Sequence, residues 1–259
     1  MTESTPTPIA ILSDVHGNLE ALTSVLADLD GQNAERIINL GDMVGYGPEP
    51  DTCVKLLRER GVESVLGNHE HGLLEAQSRS WFNPQARKAL DRTRALLSDD
   101  SLMYFRTLPR TREAFGALFV HGCPPGLVSK YLYELDDDGL RETFRLYQNR
   151  LCFAGHTHEL ERISCVGGQA DGDQRAKIER KCLGKGAVAL DPQARYIINA
   201  GAVGQPRDGN NKAKYLLWVP GTGQNPDKLE VRFVAYDIAK TAAAIIEKGL
   251  PSVYADRLW

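Results

Sequence analysis

The sequence predicts an α/β fold in a single domain spanning residues 1–259, and three observations predict it. Short apolar runs alternate with segments of helical periodicity from Ile9 to Leu66. Each run ends in a polar turn that carries Asp, Asn or His. No internal repeat and no linker-like boundary interrupts the chain. Strands alternating with helices imply parallel βαβ units, and ligands of such units bind at the carboxyl ends of the strands.

Composition narrows the function classes. A hydrophobic fraction of 42% is ordinary for a chain with a full core. A formal net charge of -3 offers no basic surface for a nucleic-acid backbone, so long nucleic acids are not expected partners. Met1 to Pro8 lacks both a basic start and an apolar signal core, and no apolar run reaches the roughly 20 residues of a membrane span. The expectation is a cytoplasmic protein without membrane attachment. Cys53, Cys123, Cys152, Cys165 and Cys182 are odd in number and form no C-x-x-C pair, so most of them read as small core residues.

The elements follow in order. Ile9 to Leu12 reads as a buried strand, and Asp14-Val15-His16-Gly17-Asn18 as the loop after it. Leu19, Leu22, Val25, Leu26 and Leu29 have helical spacing, with Gly31 as the stop. A second strand, Arg36 to Leu40, ends in Gly41-Asp42; after a Gly/Pro loop, Asp51 or Thr52 can cap a helix running through Arg60. A third strand, Val62 to Leu66, ends in Gly67-Asn68-His69. Residues 70–108 read as a peripheral helical segment, with Asn83-Pro84 and Ser98 as helix starts. Strands are expected over Thr111 to Phe115 and Ala117 to Val120, the latter running into His121-Gly122, and a helix over Asp136 to Asn149. After the apolar run Leu151 to Ala154 comes Gly155-His156-Thr157-His158. Beyond it the chain reads as mostly β, over Leu160 to Val166, Arg195 to Asn199, Lys214 to Val219 and Leu229 to Tyr236, with a helix over Ala239 to Lys248. The Gly-rich, charged stretch 167–186 suits an exposed hairpin or loop.

All six histidines lie just past, or within a few residues of, a strand-like run. His156 and His158 sit one residue apart in a loop, where each imidazole can reach a different metal ion. The junction residues together are Asp14, His16, Asp42, Asn68, His121, His156 and His158. Carboxylate and amide oxygens mixed with imidazoles, and no thiolate, suit Mn, Fe, Zn, Ni or Co. Seven ligands are too many for one such ion. Two divalent ions sharing a carboxylate would lie roughly 3.5–4 Å apart and could clamp both oxygens of an in-line displacement at phosphorus.

The order D-x-H, G-D, G-N-H-E, H-G, G-H-T-H resembles that of the calcineurin-like metallophosphoesterases. It covers Asp14 to His158, and Asn199 to Gly209 looks like a loop of the small bacterial, phosphodiesterase-like branch. The resemblance implies a four-layer αββα sandwich, two mixed β-sheets face to face and flanked by helices. It also implies that Asp14, His16 and His158 bind one ion, that Asn68, His121 and His156 bind the other, and that Asp42 bridges them. His69 would be the general acid, beside a metal-bridging hydroxide as nucleophile. The implied activity is hydrolysis of small-molecule phosphoesters, with Mn as the ion expected to serve in an assay.

One departure bears on the substrate. The protein Ser/Thr phosphatases of the superfamily follow G-D with an Asp-Arg pair, and the dinucleoside-tetraphosphate hydrolases keep the Arg; here Gly45 and Tyr46 stand in those places. Loss of a bidentate phosphate clamp argues for a phosphodiesterase or broad phosphoesterase, with Arg207 and Tyr46 as candidate substrate contacts. The alternatives are a protein phosphatase, a tetraphosphate hydrolase, or a scaffold that keeps the fold without turnover. His71 reads as a rim residue, Cys123 as a packed thiol, and Tyr46, Trp81 and Phe82 as packing rather than a nucleobase platform.

Overall fold

In the computed structural model, which describes residues 7–167, 176–222 and 225–259, twelve strands build two sheets. The strands are β1 (Ile9–Leu12), β2 (Arg36–Asn39), β3 (Glu63–Ser64), β4 (Thr111–Ala114), β5 (Ala117–Val120), β6 (Leu151–Ala154), β7 (Leu160–Val166), β8 (Lys177–Cys182), β9 (Gly186–Val188), β10 (Arg195–Ala200), β11 (Ala213–Val219) and β12 (Lys228–Val234). One sheet has the order β3-β2-β1-β11-β12-β9 and the other β4-β5-β6-β10-β7-β8. Both are mixed: β1, β2 and β3 are parallel, as are β5, β6 and β10, while the remaining pairings of both sheets are antiparallel.

Period-2 side-chain alternation makes the layers. Ile9, Ile11, Phe119, Phe153, Ile198 and Trp218 meet in the core between the sheets. Their neighbours Ala10 and Leu12 face outward onto helices α1 (Leu19–Asp30) and α2 (Pro50–Glu59). Five more helices follow in the chain: α3 (Asn68–Leu74), α4 (Ala76–Arg79), α5 (Pro84–Leu96), α6 (Asp99–Phe105) and α7 (Asp137–Arg145). On the other flank, Leu118, Val120 and Cys152 pack on Leu140 and Phe144 of α7. Strands buried on both faces have to be apolar throughout, which is why β1, β5 and β6 read as continuous runs. Helices α8 (Ile238–Glu247) and α9 (Val253–Asp256) close a smaller cluster against Ala89 of α5. No helix among the described residues is long and apolar enough to cross a membrane.

Several expected boundaries move. The third strand keeps only Glu63–Ser64: Val65 N still bonds Asn39 O of β2, and Leu66 N turns away to the Pro109 carbonyl. The helix expected from Asp136 to Asn149 stops at Arg145, where the Arg195 guanidinium takes the carbonyls of Phe144 and Tyr147, at 2.5 Å each. Segment 70–108 is helical but not wholly peripheral: its first residues, Glu70, His71 and Gly72 of α3, are buried. Within 167–186, the described part includes β8, paired antiparallel with β7 as the hairpin reading requires, while 168–175 lie outside the described residues.

Asp51 does not cap α2, which starts at Pro50 with Glu49 before it. Its carboxylate instead holds the start of α6, accepting from Ser98 N at 2.9 Å and from the hydroxyls of Ser98 and Ser101 at 2.6 Å each, with Lys55 Nζ at 2.7 Å. Partial burial opposes its charge, but the hydrogen bonds from Lys55, Ser101 and Ser98 outweigh this and lower its pKa below the usual 3.8. A carboxylate depressed in the folded state stabilises above its unfolded pKa and loses that stabilisation as pH falls through the folded value. Asp51→Ala should therefore cost about 1–3 kcal/mol at neutral pH, with the difference from wild type narrowing in denaturation curves taken below pH 4. A cost that does not change with pH would mean that the charge plays no part.

Candidate metal centre

The carboxyl ends of both parallel strand trios open on one edge, and the loops there are laced to each other. His16 N donates to Asp42 O at 2.9 Å, Gly155 N to His121 O at 2.8 Å, and Gly204 N to Asp14 O at 2.9 Å. This lacing holds a strained backbone. Asp14, His16, Asp42, Tyr46, His156 and His158 all have positive φ, between 49° and 70°; elsewhere among the described non-glycine residues only Asn33 and Phe115 do. Such conformations cost of order 1–3 kcal/mol each and persist where the surroundings over-determine them. Gly155 has a related cause, since a Cβ there would stand 1.9 Å from Ser13 Oγ.

Asp14, His16, Asp42, Asn68, His121, His156 and His158 are all buried and converge at this edge. Ligand atoms gather in three groups: Asp14 with His16 and His158; His16 with Asp42 and His69; Asp42 with His121 and His156. The two histidines of the G-H-T-H loop thus go to different groups. Asn68 joins through His121, its Oδ1 lying 2.9 Å from His121 Nε2.

Each candidate ligand is anchored on one side and bare on the other. His16 Nδ1 lies 3.0 Å from Val44 O, His121 Nδ1 2.8 Å from Leu40 O, and His158 Nδ1 2.6 Å from Gln205 O. A carbonyl oxygen accepts only, so each Nδ1 carries the hydrogen; His16 and His158 then turn an Nε2 lone pair inward, whereas His121 Nε2 meets two acceptors, Asn68 Oδ1 at 2.9 Å and Asp42 Oδ2 at 3.3 Å, and carries a proton toward them. Asp14 Oδ2 accepts from Ser13 Oγ and His156 N, at 2.6 and 3.0 Å, and its Oδ1 has no partner. Asp42 Oδ1 accepts from His69 N at 2.9 Å, while its Oδ2 faces His121, His16 and His69 at 3.3, 3.7 and 3.9 Å. His156 Nε2 is likewise buried without a partner.

The donor set fits metal ions on physical grounds. His16 Nε2 and His158 Nε2 stand 3.0 Å apart, two lone pairs facing each other. Burial holds both rings well below the usual histidine range, so neither takes up the proton that would relieve the contact. Burial likewise holds His156 at about 3 and raises Asp14 to about 6. At His121 burial also opposes charge, but Asp42 prevails and pushes this ring up to about 9; Asp42 in turn falls well below the carboxylate range despite its burial. A cation among these atoms would replace the His121 proton.

His69 lies beside this cluster with its ring edge-on to Tyr46, Phe82 and His16, at centroid distances of 4.5, 5.0 and 4.8 Å. Its Nδ1 has no partner, and burial lowers it to about 4. A Cβ on Gly45 would come within 2.0 Å of that nitrogen, so this ring position requires glycine there. Arg207 is exposed, its backbone N bonded to His158 O at 3.1 Å and its Nη2 to Gln205 Oε1 at 3.2 Å. Its positive charge helps to hold His158, His16 and His69 low, and the backbone bonds of Arg207 to His158 and of Gly204 to Asp14 tie its loop to the cluster.

Other expectations need correction. His71 is not a rim residue: its ring is buried and Arg110 Nη2 donates to its Nε2 at 2.9 Å. Tyr46 and Phe82 do pack, half-buried against Tyr254 and His69, but Trp81 is 59% exposed. Cys123 is a packed thiol as expected. Two supporting residues carry no assigned role in the sequence reading. Glu70 accepts from Asp42 N and Gly67 N at 3.0 Å each and from Val44 N at 3.2 Å, and the sequence signal for it is a Glu three residues after Gly67, in capping-box position. Asn199 Nδ2 holds Gly155 O at 2.6 Å and Thr157 Oγ1 at 3.0 Å, a tie between distant segments that no local pattern announces.

Comparison with known proteins agrees with this geometry. Residues 8–219 match the calcineurin-like phosphoesterase superfamily domain. A metallophosphoesterase from Sphaerobacter thermophilus has a crystal structure similar to this one, with a TM-score of 0.79 and 35% identity, covering 98% of each chain. An uncharacterized protein of Methanocaldococcus jannaschii is 34% identical over 256 residues, 97% of each chain. Serine/threonine-protein phosphatase 1 of Salmonella typhimurium is 33% identical over 72 residues, only 27% of this chain.

If cations relieve these contacts, divalent transition ions should stabilise the fold. At a free concentration 100 times Kd, one bound ion contributes about 2.7 kcal/mol, which for a chain of this size raises Tm by roughly 5–10 °C. Asp42→Ala should lose most of the gain. Because His121 must give up its proton, the gain should also shrink as pH is lowered from 8 to 6. A wild-type Tm indifferent to added Mn or Zn would contradict this reading of the cluster.

Proposed function

The chain belongs to the calcineurin-like phosphoesterase superfamily and is thereby a phosphoester hydrolase; on that premise we propose that it is a two-metal phosphodiesterase or broad phosphoesterase acting on small molecules. The observation that carries the proposal is the sharing of Asp42 and His16 between neighbouring ligand groups, which suits two adjacent ions better than one. In this reading Asp14, His16 and His158 hold one ion, Asn68, His121 and His156 the other, and Asp42 both. Bound divalent ions would supply Lewis-acid polarisation of the phosphoryl oxygens and a nucleophile from water at neutral pH. Mn is the ion of choice for assay. Five free cysteines suit the reducing cytoplasm as the site of action.

The protein's own groups then divide the remaining tasks. His69 protonates the leaving oxygen. Its low proton affinity in the free site means that it acts once a negatively charged ester is bound, and that it is a strong acid when protonated. The aromatic rings around it fix its direction, in the place of a carboxylate at position 45, for which the His69 ring leaves no room. Arg207 meets an outer phosphoryl oxygen from the loop above His158, and Tyr46, with its hydroxyl held protonated by burial, can donate a hydrogen bond from below.

A dianionic monoester brings one more charged oxygen than a diester, and Arg207 is the one guanidinium proposed to meet it. The preference should therefore be for diesters. The local likeness to a protein phosphatase keeps monoester hydrolysis as the second reading. In an assay with Mn, kcat/KM should be higher for aryl phosphodiesters than for the matching monoesters, and Tyr46→Arg should move the ratio toward monoesters. Arg207→Ala should cost about 1.5–3 kcal/mol of transition-state binding. Better monoester hydrolysis by wild type, with that preference untouched by Arg207→Ala, would refute the assignment.

His69→Ala separates acid catalysis from positioning. It should lower turnover roughly 10²- to 10⁴-fold for alkyl leaving groups, with the metals still bound, and less for nitrophenyl esters that leave without a proton. An equal loss on both would assign His69 to positioning alone.

A further inference from the structure

Beside the candidate metal centre the structure has a cavity of about 270 Å³ whose lining includes Asn68 and His156 at one end and Trp81, Phe82, Asn83 and Tyr131 around the rest. The larger cavity of about 570 Å³, against β9 and β12, contains none of the proposed ligands. From the smaller one we infer a subsite for a single nucleobase, so that the preferred substrates of the proposed phosphoesterase are nucleoside phosphoesters. This inference rests on the phosphoesterase reading and names its substrate class.

Three features of the cavity carry it. The first is its wall. Tyr131 is already stacked on His156, with ring centroids 3.9 Å apart and planes 13° off parallel, and on Tyr133, which lies outside the lining, at 4.7 Å, so the ring the lining leaves for a ligand is that of Trp81. Trp81 leaves more than half of its surface in solvent although it is the largest side chain of the lining. Among the described residues its ring neighbour is His71, at 6.1 Å. Core packing does not explain an indole placed in that way, and an aromatic face open toward a cavity is what a planar base stacks on.

The second feature is polarity. Asn83 uses its Oδ1 to cap α5, accepting from Ala86 N at 2.9 Å, so what it can offer a ligand is its amide NH2. Ser129 also lines the cavity. A donor beside aromatic faces selects a ring with acceptor atoms, as purines and pyrimidines have, over a plain aryl ring. The third is size. Sites for drug-sized ligands begin near 300 Å³, so this space takes one base and leaves a second base of a dinucleotide outside. Because Asn68 and His156 belong to the cavity and to the ligand cluster alike, a base seated there has its phosphoester at the cluster.

The test compares two diesters with the same nitrophenyl leaving group: thymidine 5'-phosphate p-nitrophenyl ester and methyl p-nitrophenyl phosphate. Wild type loaded with Mn should favour the thymidine ester through KM. Trp81→Ala should lower that ratio about tenfold, the scale of a lost base stack, and Trp81→Phe should restore most of it. A second readout does not need turnover: thymidine and adenosine monophosphates titrated into wild type should bind more tightly than into Trp81→Ala, and inorganic phosphate should bind both alike. Hydrolysis of both diesters with a ratio that Trp81→Ala leaves unchanged would overturn the subsite while the phosphoesterase reading stands. Absence of hydrolysis of either would count against that reading, and the nucleotide titration would then decide the subsite by itself. Equal nucleotide affinity of wild type and Trp81→Ala refutes it.

Discussion

The structure depends on a single electrostatic constraint: at one edge of the sandwich, lone pairs are made to face one another. His16, His121 and His158 give their Nδ1 hydrogens to backbone carbonyls of other segments, and so cannot turn their Nε2 atoms away. The closest approach, 3.0 Å between His16 and His158, is repulsive between neutral rings, and burial keeps those rings neutral. Protein interiors tolerate such a contact where a bound cation turns the repulsion into coordination. The cluster thus has the donor set and the packing of a candidate cation site.

What holds the lone pairs in place is the rest of the fold. Two parallel strand trios end at the same edge, so loops far apart in the chain can lace together there. Six residues of these loops accept left-handed backbone, a concentrated strain that only a large, well-packed scaffold can bear. Glu70 shows how the strain is distributed. Its buried carboxylate gathers three backbone N–H groups from the Asp42 loop and the start of α3, fixing the bridging candidate relative to Asn68 and His69. Burial, with the nearby Asp42 charge, raises this carboxyl to about 8 even though the Asp42 and Val44 N–H groups favour its ionised form.

Much of this was legible in the sequence, for physical reasons that differ from residue to residue. β1, β5 and β6 are continuous apolar runs because they are buried on both faces, and runs of that kind announce themselves and the junctions that follow. The seven candidate ligands could be named from those junctions because parallel strands must deliver their loops to one edge. The division of the strands into two mixed sheets came from family resemblance, since periodicity within a strand does not reveal its neighbour. Contacts between distant segments were hidden. Asp51 has the pattern of a helix cap but serves α6, some 50 residues on; Asn199 ties the G-H-T-H loop from another strand; and His71, polar and past the motif, is buried by Arg110 and Ser78. The role of Trp81 depends on its exposure beside a cavity, which no sequence pattern encodes.

The central claim is that this edge is built for two adjacent cations sharing Asp42. Anomalous diffraction from crystals equilibrated with manganese tests it most directly. The account predicts two peaks roughly 3.5–4 Å apart, one among Asp14, His16 and His158 and the other among Asn68, His121 and His156, with Asp42 between them. A single peak at full occupancy, or two peaks without Asp42 between them, would contradict it.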